Sequence, residues 1–344
     1  MKKRKVIILG FGGTIAMVPD KEGVLKPAKN VEEIFAVVPS LKKMADVSFF
    51  YGLENRDSTN INPTHWAKLA WCVAGVHDKV DGIIITHGTD TMAYTASALS
   101  LALGRGLQIP IVFTGSQLPL VAHGTDAKFN LENSMNTVLT ACERGIAEVM
   151  IVFGDRVLRA NRSTKTSQSK FPAFDSPAFP HLAKIDALGI HFIADALKAN
   201  KKSVLKVRAD FQMGILSIDV IPGLEPRILL GVLKSGKCKG LLLKSPGAGN
   251  VPSEGEYSLL PVIHEAVDKL KIPVLVSTKF IDTNMRFDIY EPSKMALEAG
   301  AISTRDLTNV TAQVKFMWAL AQGPKSFADL KKIINTDFVG EITV

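Results

Sequence analysis

Short runs of β-branched and aliphatic residues recur along this chain, each followed by segments whose apolar positions fall at helical spacing. Val6–Leu9, Gly82–Thr86, Ile109–Thr114 and Val149–Phe153 are the runs of the first half. An apolar run of this length without polar alternation predicts a strand buried on both faces. Asn62-Pro63 predicts a helix start, because asparagine caps free amides and proline suits the first helical position. Trp66, Leu69, Ala70 and Val73 then share one face, and Ala93–Leu103 and Leu131–Cys142 read as further packed helices. Strands alternating with helices predict a parallel sheet covered on both faces, and right-handed crossovers bring the ends of the first two strands to one edge.

From Phe171 to Pro180 the pattern breaks into aromatics and prolines, and a lysine-rich stretch near His191–Arg208 reads as a connection. Gly240–Lys244 and Pro273–Ser277 predict strands of a second, smaller α/β unit, with helices over Leu259–Leu270 and Asp306–Leu320. The expected layout is a larger N-terminal catalytic α/β domain over residues 1–190, a linker over 191–211 and a smaller C-terminal α/β domain over 212–344.

Two of the strand runs end in glycine turns that carry threonine: Gly12-Gly13-Thr14 and His87-Gly88-Thr89-Asp90-Thr91. The carboxyl ends of strands in an open α/β sheet form the ligand-binding edge, so two hydroxyls delivered there can converge on one small molecule. Either turn alone is ordinary turn chemistry. Together with Ser163-Thr164-Lys165-Thr166 they suggest a nucleophile and its base. A threonine hydroxyl needs such activation at neutral pH, and a partly desolvated lysine can supply it because burial disfavours the charged amine. Lys165 would take the proton of Thr89, with Asp90 holding the pair in register, a hydroxyl–lysine–carboxylate version of triad logic.

The 344 residues suffice for two cores, and 47% hydrophobic with 22% charged residues is ordinary globular composition. The net charge of +8 gathers at the N-terminal leader and at Lys198–Arg208 without interleaved aromatics, which favours a solvated surface over a nucleic-acid interface. Cys72, Cys142 and Cys238 give no disulfide framework, and the seven histidines show no metal-ligand spacing, so no metal is expected. No apolar run has the length of a membrane span. The leader Met1-Lys2-Lys3-Arg4-Lys5 before an apolar stretch resembles a secretory signal, but cleavage after that stretch would discard Thr14. A cytoplasmic protein is expected.

Gly12-Gly13-Thr14-Ile15-Ala16, Asp57-Ser58-Thr59, His87-Gly88-Thr89-Asp90-Thr91-Met92 and Thr164-Lys165-Thr166 together resemble the bacterial-type L-asparaginases, in the family's order and over nearly the whole chain. Weaker echoes are Phe174-Asp175-Ser176-Pro177, Gly247-Ala248-Gly249-Asn250 and Glu298-Ala299-Gly300-Ala301-Ile302. The resemblance is to the cytoplasmic type I branch. It implies a flavodoxin-like larger domain and hydrolysis of asparagine to aspartate and ammonia, with no cofactor. Thr14 would attack the side-chain amide to form an acyl-enzyme, and Thr89, Asp90 and Lys165 would help water to hydrolyse it. Asp57, Ser58 and Thr59 would grip the α-carboxylate of the amino-acid substrate, a stretch that reads equally well as a plain polar turn. Asp90 would pair with the α-ammonium, and Gly88 and Ser116-Gln117 would line the pocket. The resemblance also implies self-association into a homodimer or homotetramer, with Asn250 reaching a partner's pocket and Asp288 or Glu291 sharing that part. On local grounds Asn250 is as readily a Gly-Asn turn.

The chain departs from the family at one point. Many relatives carry a tyrosine in the loop after the first threonine, where Asp20–Pro27 here has Val24 at about that place, and neither Tyr51 nor Tyr94 stands in an equivalent position. The alternatives are a glutaminase-asparaginase, an ammonia-releasing subunit of a tRNA-linked amidotransferase and a non-catalytic amino-acid-binding protein. The strand that begins at Val6 argues against the second, whose members carry an extra N-terminal domain. A dinucleotide oxidoreductase is disfavoured because Ile15 occupies the place of the third fingerprint glycine.

Overall fold

The order of the strands in the N-terminal unit decides where a ligand can bind. In chain order they are β1 (Lys5–Gly10), β2 (Met17–Pro19), β3 (Leu25–Pro27), β4 (Asp46–Phe50), β5 (Gly82–Thr86), β6 (Ile111–Thr114), β7 (Val149–Phe153), β8 (Arg156–Arg159), β9 (Thr164–Lys165), β10 (Phe174–Asp175), β11 (Ala183–Asp186) and β12 (Gly189–Phe192). The main sheet runs β4-β1-β5-β6-β7-β8-β11-β12. From β4 to β7 the neighbours are parallel, and β8, β11 and β12 extend the sheet antiparallel. Among the parallel strands this is the flavodoxin-like order, whose direction reverses between β1 and β5. Gly10, Thr86 and Thr114 stand level across β1, β5 and β6, so the turns that follow these strands share one edge. The computed structural model describes residues 3–13, 15, 17–19, 25–27, 38–50, 56–281 and 291–343.

Helices cover both faces of this sheet: α1 (Ser40–Met44), α2 (Pro63–Val76), α3 (Met92–Leu103) and α4 (Ala127–Glu143). On one face Leu131, Met135 and Val138 of α4 pack with Ile8, Ile84, Val112 and Met150. Helices α2 and α3 pack together and bury Leu69 and Val73 with Ala96 and Leu99. The start of α2 is a capping box: Asn62 Oδ1 accepts from Thr64 N and Oγ1, and Asn62 N donates to His65 Nδ1. Helix α4 begins four residues before the expected Leu131, because its first turn leaves Lys128 and Phe129 exposed and turns a polar residue, Asn130, inward. Asn130 is fully buried there, donating to Gly115 O and accepting from Gly154 N, so tertiary hydrogen bonds replace the apolar signal.

The chain forms two compact units, Met1–Ala209 and Asp210–Val344, which divide inside the stretch 191–211. Strand β12 crosses residue 190, and Ala147 N donates to Leu197 O, so pairing with the first unit continues beyond it.

The second unit is a parallel sheet in sequential order, β13 (Ile215–Asp219), β14 (Gly240–Ser245), β15 (Val274–Thr278) and β16 (Ile302–Ser303). Its helices are α5 (Pro226–Lys234), α6 (Leu260–His264), α7 (Glu291–Glu298), α8 (Asn309–Ala321) and α9 (Phe327–Ile334). The helix expected over Leu259–Leu270 is α6 continued by a π turn over Glu265–Lys269. Sequential order with right-handed crossovers puts α5, α6 and α7 on one face. Leu229, Leu233, Ile263 and Ala296 accordingly pack with Leu241, Leu243, Val274 and Val276. Helix α8 lies along β13, β14 and β15. Its Lys315 is fully buried against Glu341, whose carboxylate also accepts from Phe338 N and Val339 N. Among the described residues no helix is long and apolar enough to cross a membrane.

Candidate active site

The turns at the β1/β5 reversal are packed too closely for side chains. Gly12 and Gly13 both have positive φ, +94° and +98°. A Cβ on Gly12 would stand 1.9 Å from Arg56 O, and one on Gly13 would stand 2.4 Å from Gly88 N. Gly88 in turn leaves room for Ser58, whose Cβ and Oγ would lie 2.6 Å from any Cβ added there. The glycines therefore let the turns after β1 and β5 and the segment at Arg56–Ser58 meet backbone to backbone.

Thr89, Asp90 and Lys165 converge at this edge. Lys165 Nζ lies 2.8 Å from Thr89 Oγ1, 2.7 Å from Asp90 Oδ1 and 2.9 Å from Gln168 Oε1. Thr89 is buried, the Lys165 side chain is 14% exposed and that of Asp90 is 48% exposed, so the carboxylate faces solvent while the amine lies beneath it. Asp90 also precedes α3, whose N-terminal amides favour negative charge. Lys165 is placed by the β9–β10 ribbon, in which it pairs with Phe174 and Thr164 pairs with Asp175. Asp175 anchors that ribbon: it accepts from Arg156 at 2.9 Å and bonds His181 Nε2 at 2.6 Å. Burial opposes the charge of Asp175, but bonds from His181 and Ser176 N, with Arg156 beside it, hold its carboxyl below the usual range.

Beneath the Thr89 turn, His87 is fully buried. Nδ1 lies 2.7 Å from Gly88 O and Nε2 lies 2.8 Å from Thr95 Oγ1. A carbonyl only accepts, so Nδ1 carries the proton and Nε2 accepts from the Thr95 hydroxyl. Burial pushes the imidazole down to about 4, which keeps it neutral and ties the Gly88 peptide to α3.

Asp57 caps the short turn Ser58–Asn60, with Oδ1 accepting from Thr59 N at 2.8 Å and Thr59 Oγ1 at 2.7 Å. The bonds from Thr59 hold the Asp57 carboxyl below its ordinary value. Ser58 is buried, and Ser58 O accepts from Thr91 Oγ1, which joins this turn to the start of α3. The Ser116 hydroxyl is turned into its own loop, donating to Leu118 O. Asn250 belongs to the second unit, where Ser293 Oγ donates to its Oδ1 at 2.9 Å. Thr14, Val24, Tyr51 and Asp288 lie outside the described residues. Among the described residues no three His, Cys, Asp or Glu side chains gather to hold a metal ion.

The structure thus unites Thr89, Asp90 and Lys165 and sets Ser58 against Gly88. Gln168 and His87 are the contributors that residue pattern did not single out. The signal for Gln168 was weak, an amide three places beyond Lys165; His87 stood in plain view at the head of the His-Gly-Thr-Asp-Thr-Met string.

Comparison with known proteins covers both units. Residues 5–198 match the family model "Asparaginase, N-terminal", and residues 215–334 match "Glutaminase/Asparaginase C-terminal domain". The chain is 32% identical to an L-asparaginase of Thermococcus kodakarensis, over 98% of this chain and 99% of that one. It is equally 32% identical to one of the subunits of a glutamyl-tRNA(Gln) amidotransferase, that of Pyrococcus abyssi, over 98% of this chain and 77% of that one. Among solved structures, L-asparaginase I of Vibrio cholerae superposes with a TM-score of 0.88 at 30% identity, covering 99% of this chain and 100% of that one. A probable cytoplasmic L-asparaginase of Campylobacter jejuni superposes with a TM-score of 0.81 at 26% identity, covering 96% and 99%.

Proposed function

Since the chain belongs to the asparaginase family, we propose that it hydrolyses L-asparagine to L-aspartate and ammonia through a threonine nucleophile. The observation that carries this reading is the Lys165 amine held 2.8 Å from Thr89 Oγ1 and 2.7 Å from Asp90 Oδ1 at the β1/β5 reversal. Thr14 Oγ attacks the side-chain amide carbon, the C–N bond breaks with a proton delivered to nitrogen, and ammonia leaves an aspartyl ester. Water then attacks the ester while Thr89 and Lys165 accept its proton, and they return that proton to Thr14 Oγ as the C–O bond breaks and frees aspartate. The half-exposed Asp90 carboxylate binds the α-ammonium, and the amide and hydroxyl of Ser58, on the turn that Asp57 holds through both Thr59 donors, bind the α-carboxylate. No metal or organic cofactor has a part in these steps.

A second reading draws on the equal identity to the amidotransferase component: ammonia release from glutamine for a tRNA-linked transfer. The cytoplasmic location that we assign follows the name of the Campylobacter relative. Self-association into a homodimer or homotetramer, with Asn250 and either Asp288 or Glu291 completing a partner's pocket, completes the proposal. The test is an ammonia-release assay on asparagine and glutamine with Lys165→Ala beside the parent protein. Release from asparagine that is lost in the variant supports the reading. No release from either amide would leave a non-catalytic binding protein.

A further inference from the structure

Lys165 Nζ has a third partner that the reaction above does not use. Gln168 Oε1 accepts from it at 2.9 Å, beside the two groups assigned to chemistry. Gln168 is exposed, so packing does not hold its side chain. Fixing a free glutamine side chain costs rotamer entropy, and its place in the structure therefore needs a cause.

The cause is the way its loop is tied. Thr166 N donates to Ala173 O at 2.8 Å, which closes the β9–β10 loop at its base. Ser167 Oγ accepts from Lys170 N at 3.0 Å, which tightens the tip. From the loop after β6, Gln117 Nε2 donates to Gln168 O at 3.0 Å and Lys170 O at 2.9 Å. Gln117 is itself fixed, since Asp126 accepts from its main-chain N at 3.0 Å and from Leu118 N at 3.1 Å. A chain of bonds thus runs from the buried start of α4 through Gln117 to Gln168, and it ends on the amine.

The chemistry of the third acceptor matters as much as its place. To take a proton through Thr89, the Lys165 amine must be neutral, with its lone pair toward the Thr89 hydroxyl and two N–H donors, of which Asp90 takes one and leaves the other in need of an acceptor. The third partner completes the set and holds the nitrogen. A second carboxylate in that place would add to the pull of Asp90 toward the cationic amine, whereas an amide oxygen adds no charge. Three charged groups are described on the elements that place or bond Lys165. Asp90 bonds it from the loop after β5, Lys170 shares its loop, and Asp175 lies opposite Thr164, already occupied by Arg156 and His181.

We propose that Gln168, backed by Gln117, is a positioning residue that holds the Lys165 amine against Thr89 without adding charge. The inference rests on the amidohydrolase reading, and kinetics of the full chain on asparagine separate the two. Gln168→Ala should lower kcat about 10- to 100-fold, the cost of a misplaced catalytic group, with KM within about threefold of the parent and an unchanged melting temperature. Gln117→Ala should lower kcat by a smaller factor in the same direction. Gln168→Glu should restore much of the maximal rate but move the rising limb of the kcat–pH profile up by about one pH unit. A Gln168→Ala enzyme within about twofold of the parent, or a Gln168→Glu profile that does not move, would overturn the proposal and leave the reaction standing. A parent protein that releases no ammonia would overturn both.

Discussion

The Lys165–Asp90 and Lys315–Glu341 pairs share a 2.7 Å separation and little else. Lys165 and Asp90 meet at a sheet edge, 14% and 48% exposed, and the lysine's other partners are a hydroxyl and an amide. Lys315 and Glu341 are fully buried in the second unit, and their remaining bonds go to backbone: Lys315 to Thr336 O, Glu341 to Phe338 N and Val339 N. In the first pair, one partner is open to solvent and the amine touches a group that can react. In the second, every partner is a fixed group of the fold, and the pair clamps the last residues of the chain to α8. What separates the pair proposed to react from the structural one is what fills their remaining valences.

The sharpest way to break this contrast is to delete each lysine. Lys165→Ala and Thr89→Ala should each lose about a thousandfold or more in turnover, about 4 kcal/mol in barrier, while denaturant midpoints stay near the parent value. Lys315→Met should do the reverse. It leaves Glu341 buried without its cation, at a cost of about 3–5 kcal/mol in urea-derived stability. Protein that remains folded should keep its kcat. A Lys315→Met chain of parental stability would show that backbone amides alone satisfy Glu341.

His87 stands between these extremes, a buried neutral group under a reactive turn. Its imidazole is held at about 4 in the folded chain, against about 6.5 when unfolded. The unfolded chain therefore binds more protons between those values, and stability falls as pH drops from about 6.5 toward 4, by on the order of 3 kcal/mol. Replacement by a group that does not titrate, His87→Gln, should flatten that part of the curve. Glu148, whose carboxyl burial pushes up against the pull of Arg159, contributes equally to both proteins and cancels in the difference. Parallel stability–pH curves for the two proteins would show that His87 is not the titrating group.

The contrast also marks what sequence pattern reveals. Strands β1, β5, β6, β7, β14 and β15 were legible because each is a dense aliphatic run buried in a parallel sheet. Strands β8, β11 and β12 were not. Arg-Val-Leu-Arg, Ala-Lys-Ile-Asp and Gly-Ile-His-Phe are short and mixed, and they become strands only by pairing antiparallel along an existing sheet. At the site, Thr89, Asp90 and Lys165 were legible through the His-Gly-Thr-Asp-Thr-Met and Thr-Lys-Thr motifs. Gln168 was not, because its role depends on Gln117, distant by 51 residues. Lys315–Glu341 was equally silent, since nothing in the run Asn309–Ala321 signals that its one lysine is buried.

The smallest effect completes the comparison with a third pair of the same chemistry. Arg4 Nη1 lies 3.0 Å from Asp81 Oδ1, with side chains 49% and 34% exposed. Here water screens both charges, and the second Asp81 oxygen already accepts from Lys5 N at 2.7 Å. Removing the guanidinium leaves that backbone bond in place, so neither a buried charge nor an orphaned acceptor is created. Arg4→Ala should therefore cost no more than about 1 kcal/mol in urea denaturation, and less as salt is raised. Turnover should not change, because the pair stands at the start of β1, the opposite end of the strand from the reactive turn. A loss as large as that expected for Lys315→Met would mean that burial is not what divides the three pairs.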